Sequence, residues 1–345
     1  PGWFFGLSGR TSFFLSAAAI LFVCFADKFH EGSAWIPTYA QHVLVNCLLA
    51  AILALGLNFV SGYLGQTSLG HAAFFGIGAY TTAVVLKYTP LNFWLSIPLA
   101  MAAAAIVAIP LSMASLRVKG QFLIVITYAF CEIFRYVAIN TTWLGGNGGL
   151  PGLKSPEIFG VKLTKIAATN KGGYILILFL IVSALAFFSW RMERSRVGYA
   201  LHAIREDEIA AKAMGINVKY YKVLAMMISA VICALGGCFQ AVFSSMVSPE
   251  LFSSTKSIQI LTFVVIGGRR SIKGMILGGA LLSIVPEFFH SVKDMMKLSF
   301  DPWMILYGVL LVVMMRVRPQ GIWGAKDRGE DESLPVMAAE GQQEA

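Results

Sequence analysis

The stretch SGYLGQTSLGHAAFFGIGAY, residues 61–80, places hydrogen-bonding side chains and five glycines between two long apolar runs. Hydroxyl, amide and imidazole groups can bind a polar solute where a helix is interrupted, because the interruption also frees backbone groups. The side chains predicted to line such a solute path are Tyr63, Gln66, Ser68, His71, Phe74 and Phe75. Close packing of helices through the glycines explains the same stretch without a solute, and both interpretations stay open.

A concentration of charged residues lies in a polar insertion at 191–222. Its longer part reads RSRVGYALHAIREDEIAAKAMGINVKYYK. Asp207 or Glu206 is a suitable N-cap for a short helix over 208–214, and Gly215 is a suitable residue to end it. A helix of this length is not stable alone, so it must rest on the rest of the chain or on a partner. The pattern favours a docking element over its alternative, a solvated connector.

The remaining motifs give little support to enzymatic chemistry. The segment GGLPGLKS at 148–155 resembles a phosphate-binding loop, but Leu153 separates Gly152 from Lys154 and the required spacing is lost. The five cysteines lie in apolar runs without a C-x-x-C pair, which indicates neither a zinc site nor a disulfide framework. We therefore predict no catalytic residues, no metal and no cofactor.

Two isolated polar features within apolar runs have structural interpretations. Glu132 and Arg135 lie three residues apart, so they share a helix face and are predicted to form an ion pair. A role of this pair in translocation is the alternative. His71 without a charged neighbour is typical of a hydrogen-bonded packing residue rather than a proton relay.

The composition indicates an integral membrane protein. Hydrophobic residues make up 57% of the 345-residue chain and charged residues 13%, with a mean hydropathy of +0.72, which exceeds what a soluble domain could bury. The net charge of +9 would suit nucleic acid in a soluble protein. Because the basic residues lie between apolar runs, they instead set the orientation in the membrane, and no nucleic-acid partner is predicted.

The apolar runs predict an all-α integral membrane protein of about ten transmembrane or partly re-entrant helices. These runs are 12–26, 43–60, 72–89, 91–113, 121–139, 174–190, 223–244, 258–267, 274–290 and 303–316. Alternating them from a cytoplasmic N-terminus puts eleven of the twelve arginines on one side, which predicts cytoplasmic N- and C-termini by the positive-inside rule. A signal peptide over residues 12–26 is the alternative to a first membrane helix.

The predicted topology divides the chain into a permease domain and a tail. Residues 1–324 form the transmembrane domain, with an extracytoplasmic loop at 140–173 and a cytoplasmic loop at 191–222. Residues 325–345 are predicted to be a disordered cytoplasmic tail. The turns GQTSLG at 65–70 and GRRSIKG at 268–274 resemble each other weakly, and such paired interruptions can mark the repeat halves of transporters.

Five motifs in order resemble the M-type permease subunit of branched-chain amino acid ABC importers, from about residue 43 to 324. They are SGYLGQTSLGHAAFFGIGAY, LRVKGQFLIVITYAFCEIFR, GGNGGLPG, GYALHAIREDEIAAKAMGINVKYYK and RPQGIWG. The resemblance implies a multi-pass protein of the bacterial inner membrane. It also implies a second, related permease subunit, two ATP-binding subunits, an extracytoplasmic solute-binding protein and surrounding membrane lipids as partners.

Within the insertion, Glu208, Ala210, Ala211 and Gly215 look like the E-A-A-x-x-x-G loop through which importer permeases contact their ATPases. The residues expected to couple to the ATPase are therefore Arg205, Glu206, Asp207, Glu208, Ala210, Ala211 and Gly215. One departure concerns the turn GGRRSIKG at 267–274, where the family usually reads G-G-x-G-S-x-x-G. Arg269 and Arg270 stand there in place of an apolar residue and a glycine.

The cargo and the energy source leave alternatives open. Relatives of very similar sequence carry urea or short amides, so the resemblance defines the type of transporter better than its solute. An ion-coupled secondary carrier would need more acidic residues in the membrane than Glu132 and Glu287. A passive channel for a small neutral solute needs little charge and is the third possibility.

Overall fold

The computed structural model describes the central part of the chain. The described residues are 38–116, 118, 122–151, 157–158, 161–162, 172–296 and the short pieces 308–309, 312–314, 316–317 and 321–322. The predicted first segment at 12–26 and the predicted tail at 325–345 lie outside them, as does most of the predicted segment at 303–316.

Each predicted apolar run that falls on described residues forms a helix, and the protein is an all-α membrane protein. The α-helices of the described residues are α1 (Thr38–Asn58), α2 (His71–Tyr88), α3 (Phe93–Ser115), α4 (Phe122–Asn140), α5 (Gly172–Glu193), α6 (Arg196–Glu206), α7 (Glu208–Ala213), α8 (Val218–Ser244), α9 (Ser254–Gly267) and α10 (Ile272–Met296). Five described segments are long and apolar enough to cross a membrane: Tyr39–Tyr63, Phe93–Ser115, Phe122–Asn140, Gly173–Glu193 and Val218–Ser244.

The bounds of α1 and the length of α9 matter for the site. α1 begins five residues before the predicted run and continues as a π-helix over Phe59–Tyr63. Gly62 lies inside the π-turn, and the helix stops at Tyr63. α9 has 14 residues, so at ~1.5 Å per residue it is too short to cross a ~30 Å hydrocarbon layer.

Short strands and 3₁₀ turns join the loops at one end of the helices. β1 (Leu150–Pro151) pairs antiparallel with β4 (Met246–Val247), and β2 (Glu157–Ile158) pairs with β3 (Val161–Lys162). The 3₁₀ turns are Thr142–Leu144, Gly146–Gly148 and Pro249–Phe252. Phe252 packs its ring against Tyr80 of α2 and Phe134 of α4, so the last turn reaches into the helix bundle before α9 begins.

The core forms where α2 and α8 cross with their backbones almost in contact. A Cβ built on Gly237 of α8 would overlap the carbonyl oxygen of Phe75, and one built on Gly78 of α2 would overlap the carbonyl oxygen of Ala234. Glycine is needed at both positions because any side chain would separate the two helices. The neighbouring Gly236 has more room, since its Cβ would lie 3.3 Å from a methyl group of Ile52.

We expect Gly237→Ala to destabilise the protein by at least about 2 kcal/mol, because the added methyl group meets backbone that cannot move aside locally. Gly236→Ala is the matched control, since it adds the same methyl group one residue earlier against a side chain that can adjust. Thermal unfolding of both purified variants in detergent measures the difference. Equal midpoints for the two variants would contradict the close crossing of α2 and α8.

Candidate functional site

The opening stretch contains a true interruption of the helix. After the π-helix Phe59–Tyr63 the chain is irregular until α2 begins at His71, and Gly65 adopts a φ of +74° that favours glycine. The backbone N–H of Gln66 donates a hydrogen bond of 3.0 Å to the Val60 carbonyl and closes the turn. The predicted break is therefore present, although it begins with a π-turn that the sequence did not reveal.

The six residues predicted for a solute path do not form one exposed surface. Gln66 is partly exposed, whereas the other five are buried. Ser68 accepts a hydrogen bond of 3.3 Å from the Gly70 amide, which stabilises the turn before α2. Phe74 packs against Phe130 with 5.5 Å between ring centroids. A path role for all six residues stays a prediction.

His71 connects three helices through a chain of hydrogen bonds. Its Nε2 lies 2.7 Å from the Ser229 hydroxyl of α8, and that hydroxyl donates at 2.6 Å to the Gly56 carbonyl of α1. Because the Ser229 hydroxyl donates its hydrogen to Gly56, its oxygen accepts a hydrogen bond from Nε2–H of His71. His71 therefore behaves as the hydrogen-bonded packing residue that its sequence context indicated.

The insertion folds into the capped short helix that the sequence predicted. The carboxylate of Asp207 accepts hydrogen bonds from the amides of Ile209 at 2.7 Å and Ala210 at 3.1 Å, so Asp207 rather than Glu206 is the N-cap of α7. Gly215 has a φ of +82°, the left-handed conformation expected just beyond a helix end. The preceding residues form one further helix, α6, capped by Ser195.

Both helices of the insertion are fixed to the membrane helices by charged side chains. The Glu208 carboxylate at the start of α7 lies 2.7 Å from the Lys222 ammonium in the first turns of α8. The Arg205 guanidinium of α6 donates a hydrogen bond of 2.9 Å to the Gly62 carbonyl inside the π-turn. A Cβ on Gly65 would lie 2.8 Å from the Arg205 side chain, so that stem covers the interruption.

α7 and the residue that follows it carry two large apolar side chains that are mostly exposed. Ile209, the second residue of α7, is 77% exposed, and Met214, which follows the last residue of the helix, is 82% exposed. Within the same helix, Ala211 is buried, whereas Ala210 is exposed. Exposed large apolar side chains grouped on one short element are typical of a surface that docks a partner.

The second predicted turn contacts the end of α1 and the π-turn at what we call the inner junction, formed by Asn58, Gly62, Arg205 and Arg270. The Asn58 side-chain oxygen accepts a hydrogen bond of 3.1 Å from the Arg270 amide, and a Cβ on Gly62 would lie 3.0 Å from the same nitrogen. Asn58 is completely buried and was missed, although an amide inside an apolar run was a usable signal.

Arg270 adopts a conformation that its side chain disfavours. Its φ is +71°, in the left-handed region, and the sequence resemblance places a glycine at this position.

Outside the junction, the predicted ion pair is present, with 2.8 Å between Nε of Arg135 and the Glu132 carboxylate.

Comparisons with known proteins point to one family of membrane transport proteins. The family model described as branched-chain amino acid transport system / permease component matches residues 39–315. The chain is 32% identical to the high-affinity branched-chain amino acid transport system permease protein LivM of Escherichia coli (strain K12), with 92% of this chain and 76% of LivM covered. It is 26% identical to permease protein BraD of Pseudomonas aeruginosa, with 79% and 91% covered, and 24% identical to permease protein LivH of Escherichia coli (strain K12), also with 79% and 91% covered.

We expect Arg270→Gly to be more stable than Arg270→Ala by about 1 kcal/mol, because both remove the guanidinium but only alanine keeps a Cβ in the left-handed region. At Arg269, whose φ is not positive, the order should reverse, since glycine there only adds freedom to the unfolded chain. Thermal unfolding of the four purified variants measures both differences. The same order at both positions would contradict the left-handed conformation of Arg270.

Proposed function

The chain belongs to the family of branched-chain amino acid transport system permease components, and on that premise we propose that it is one permease subunit of an ATP-driven importer. It is a multi-pass protein of the bacterial inner membrane. In the proposal it forms half of the translocation path for branched-chain amino acids and takes its energy from ATP hydrolysis in partner subunits. The observation that carries the proposal is the insertion 191–222, which is fixed to the helix interruption on one side and exposes Ile209 and Met214 on the other.

The proposed partners follow from the family and from the exposed surface. Two ATP-binding subunits would bind the complex on the cytoplasmic side, one of them at α7 of this chain. A second, related permease subunit would complete the path, which agrees with the fact that LivM and LivH of one organism are both named as permease proteins of such a system. An extracytoplasmic solute-binding protein would deliver the amino acid, and lipids would surround the apolar helices.

The contacts of the insertion suggest how ATP binding would act on the path. A movement of α7 reaches α8 through the Glu208–Lys222 ion pair. A movement of α6 reaches the π-turn through Arg205, whose guanidinium holds the Gly62 carbonyl. The residues named for coupling, Glu206, Asp207, Ala210, Ala211 and Gly215 besides Arg205 and Glu208, would keep α7 folded or contact the ATPase. ATP binding would thus rearrange the interruption from the cytoplasmic side, and hydrolysis would reset it.

Uptake by the reconstituted complex tests the function. Proteoliposomes that contain this chain, its related permease, the two ATPases and the binding protein should accumulate leucine, isoleucine and valine against a gradient when ATP is enclosed with the ATPases. Urea should not accumulate. The double variant Ile209→Ser, Met214→Ser should lose the ATPases during purification and abolish uptake, because its docking surface is gone. Accumulation driven by an ion gradient without ATP, or of urea alone, would overturn the proposal.

Arg205→Met tests the coupling path, because methionine keeps most of the stem over Gly65 but cannot donate to the Gly62 carbonyl. We expect leucine uptake to fall about tenfold, which corresponds to ~1.4 kcal/mol, while ATP hydrolysis stays within about twofold. Lys219→Met is the matched control, since Lys219 is exposed in the first turn of α8 and has no part in the junction. Equal uptake by both variants would show that the Arg205 contact transmits nothing.

A further inference from the structure

α4 carries two charged side chains inside a segment that is long and apolar enough to cross a membrane. Glu132 and Arg135 lie within Phe122–Asn140, and at ~1.5 Å per residue Glu132 is about 12 Å along the helix from its nearer end. An ionisable residue within such a segment is costly and marks a functional site by default. The ion pair between them lowers this cost without removing it, since a pair at this spacing stabilises a helix only weakly.

Among the residues that the structure describes, no hydrogen bond or ion pair of the Glu132 or Arg135 side chain leaves α4. Nε of Arg135 donates a hydrogen bond of 2.8 Å to the Glu132 carboxylate, and the guanidinium lies 5.1 Å from the centroid of the Tyr136 ring. The ion pair between Glu208 and Lys222, by contrast, connects α7 to α8. The need to hold helices together therefore does not explain Glu132 and Arg135.

The surface of α4 that the chain leaves uncovered has an apolar part and a polar part. The side that packs against the rest of the chain carries Leu123, Thr127, Cys131 and Ala138. The exposed apolar part carries Phe122, Val125, Ala129, Ile133 and Val137. Between these two sides lies what we call the polar flank, formed by Tyr128, Glu132 and Arg135, which follow one another at helical spacing. Lipid tails suit the apolar part, whereas the polar flank needs a polar partner.

Both charged side chains of the polar flank reach the surface of the chain. The Arg135 side chain is 33% exposed and that of Glu132 is 19% exposed. Because the ion pair uses Nε of Arg135, the two terminal nitrogens of the guanidinium form the edge that can bind a second carboxylate through two parallel hydrogen bonds. The Glu132 carboxylate has further lone pairs, which can accept hydrogen bonds from an ammonium group. The polar flank can therefore bind an anion and a cation side by side.

We propose that the polar flank binds the zwitterionic backbone of the transported amino acid, with Arg135 on its carboxylate and Glu132 on its ammonium group. This site rests on the proposed function, because it needs a solute that carries both charges. The two residues pair with each other while the site is empty and with the solute when it is present. Neither charge is then left without a counter-charge at either stage. Urea carries neither charge and would leave the ion pair closed.

The double variant Glu132→Arg, Arg135→Glu tests the site in the complete reconstituted complex, because it keeps an ion pair and the net charge but exchanges the two charges. An L-amino acid could meet the exchanged charges only with its side chain turned to another side. At saturating loaded binding protein, we expect leucine uptake to fall by about tenfold or more, with an unfolding midpoint close to that of the wild type. ATP hydrolysis stimulated by the binding protein should stay within about twofold. Lys87→Gln, which removes an exposed lysine at the end of α2, is the control and should match the wild type.

The neutral double variant Glu132→Gln, Arg135→Gln separates a solute site from a structural ion pair. We expect it to lose leucine uptake to the same extent, while its midpoint of thermal unfolding does not fall, because it removes two charges from an apolar segment. A lower midpoint than that of the wild type would show that the ion pair stabilises the fold, and it would overturn the site.

The remaining outcomes distinguish this site from the proposed function. If the wild type and the exchanged variant accumulate leucine equally well, the order of the charges is irrelevant, so the zwitterion site is wrong and the proposed function stands. If the wild type accumulates urea but not leucine, both are wrong. If either double variant fails to copurify with the second permease, or loses ATP hydrolysis together with uptake, Glu132 and Arg135 serve assembly or coupling and the solute site is overturned.

Discussion

Irregular backbone in an apolar surrounding must have a hydrogen-bond partner for each polar group that it frees, and this requirement organises the inner junction. The π-turn Phe59–Tyr63 frees the Gly62 carbonyl, and the guanidinium of Arg205 donates a hydrogen bond to it. The Arg270 amide, in a turn of left-handed backbone, finds the side-chain oxygen of Asn58. The break in α1 is therefore stable only while α6 and a distant turn both stay in place. In the proposed function, this arrangement would link the solute path to the ATPase through the single contact between Arg205 and Gly62.

The same requirement explains what the sequence could predict and what it could not. Local signals sufficed for α7, since Asp207, a short apolar pattern and Gly215 define a capped helix within nine residues. They also sufficed for the Glu132–Arg135 pair, whose partners lie one helical turn apart. The hydrogen bond from Arg205 to Gly62 joins residues 143 positions apart. No local pattern carries that information, because it depends on which helices pack together.

Glycines illustrate a second limit of the sequence. The five glycines of the opening stretch look alike in the sequence, yet the structure gives them separate tasks. Gly65 supplies a left-handed turn, whereas Gly78 allows two backbones to touch. Arg270 adopts the left-handed conformation without being glycine, which a pattern of residue types could not reveal. The burial of Phe74 and Phe75 likewise depends on α8 lying directly against α2, a contact made possible by Gly237.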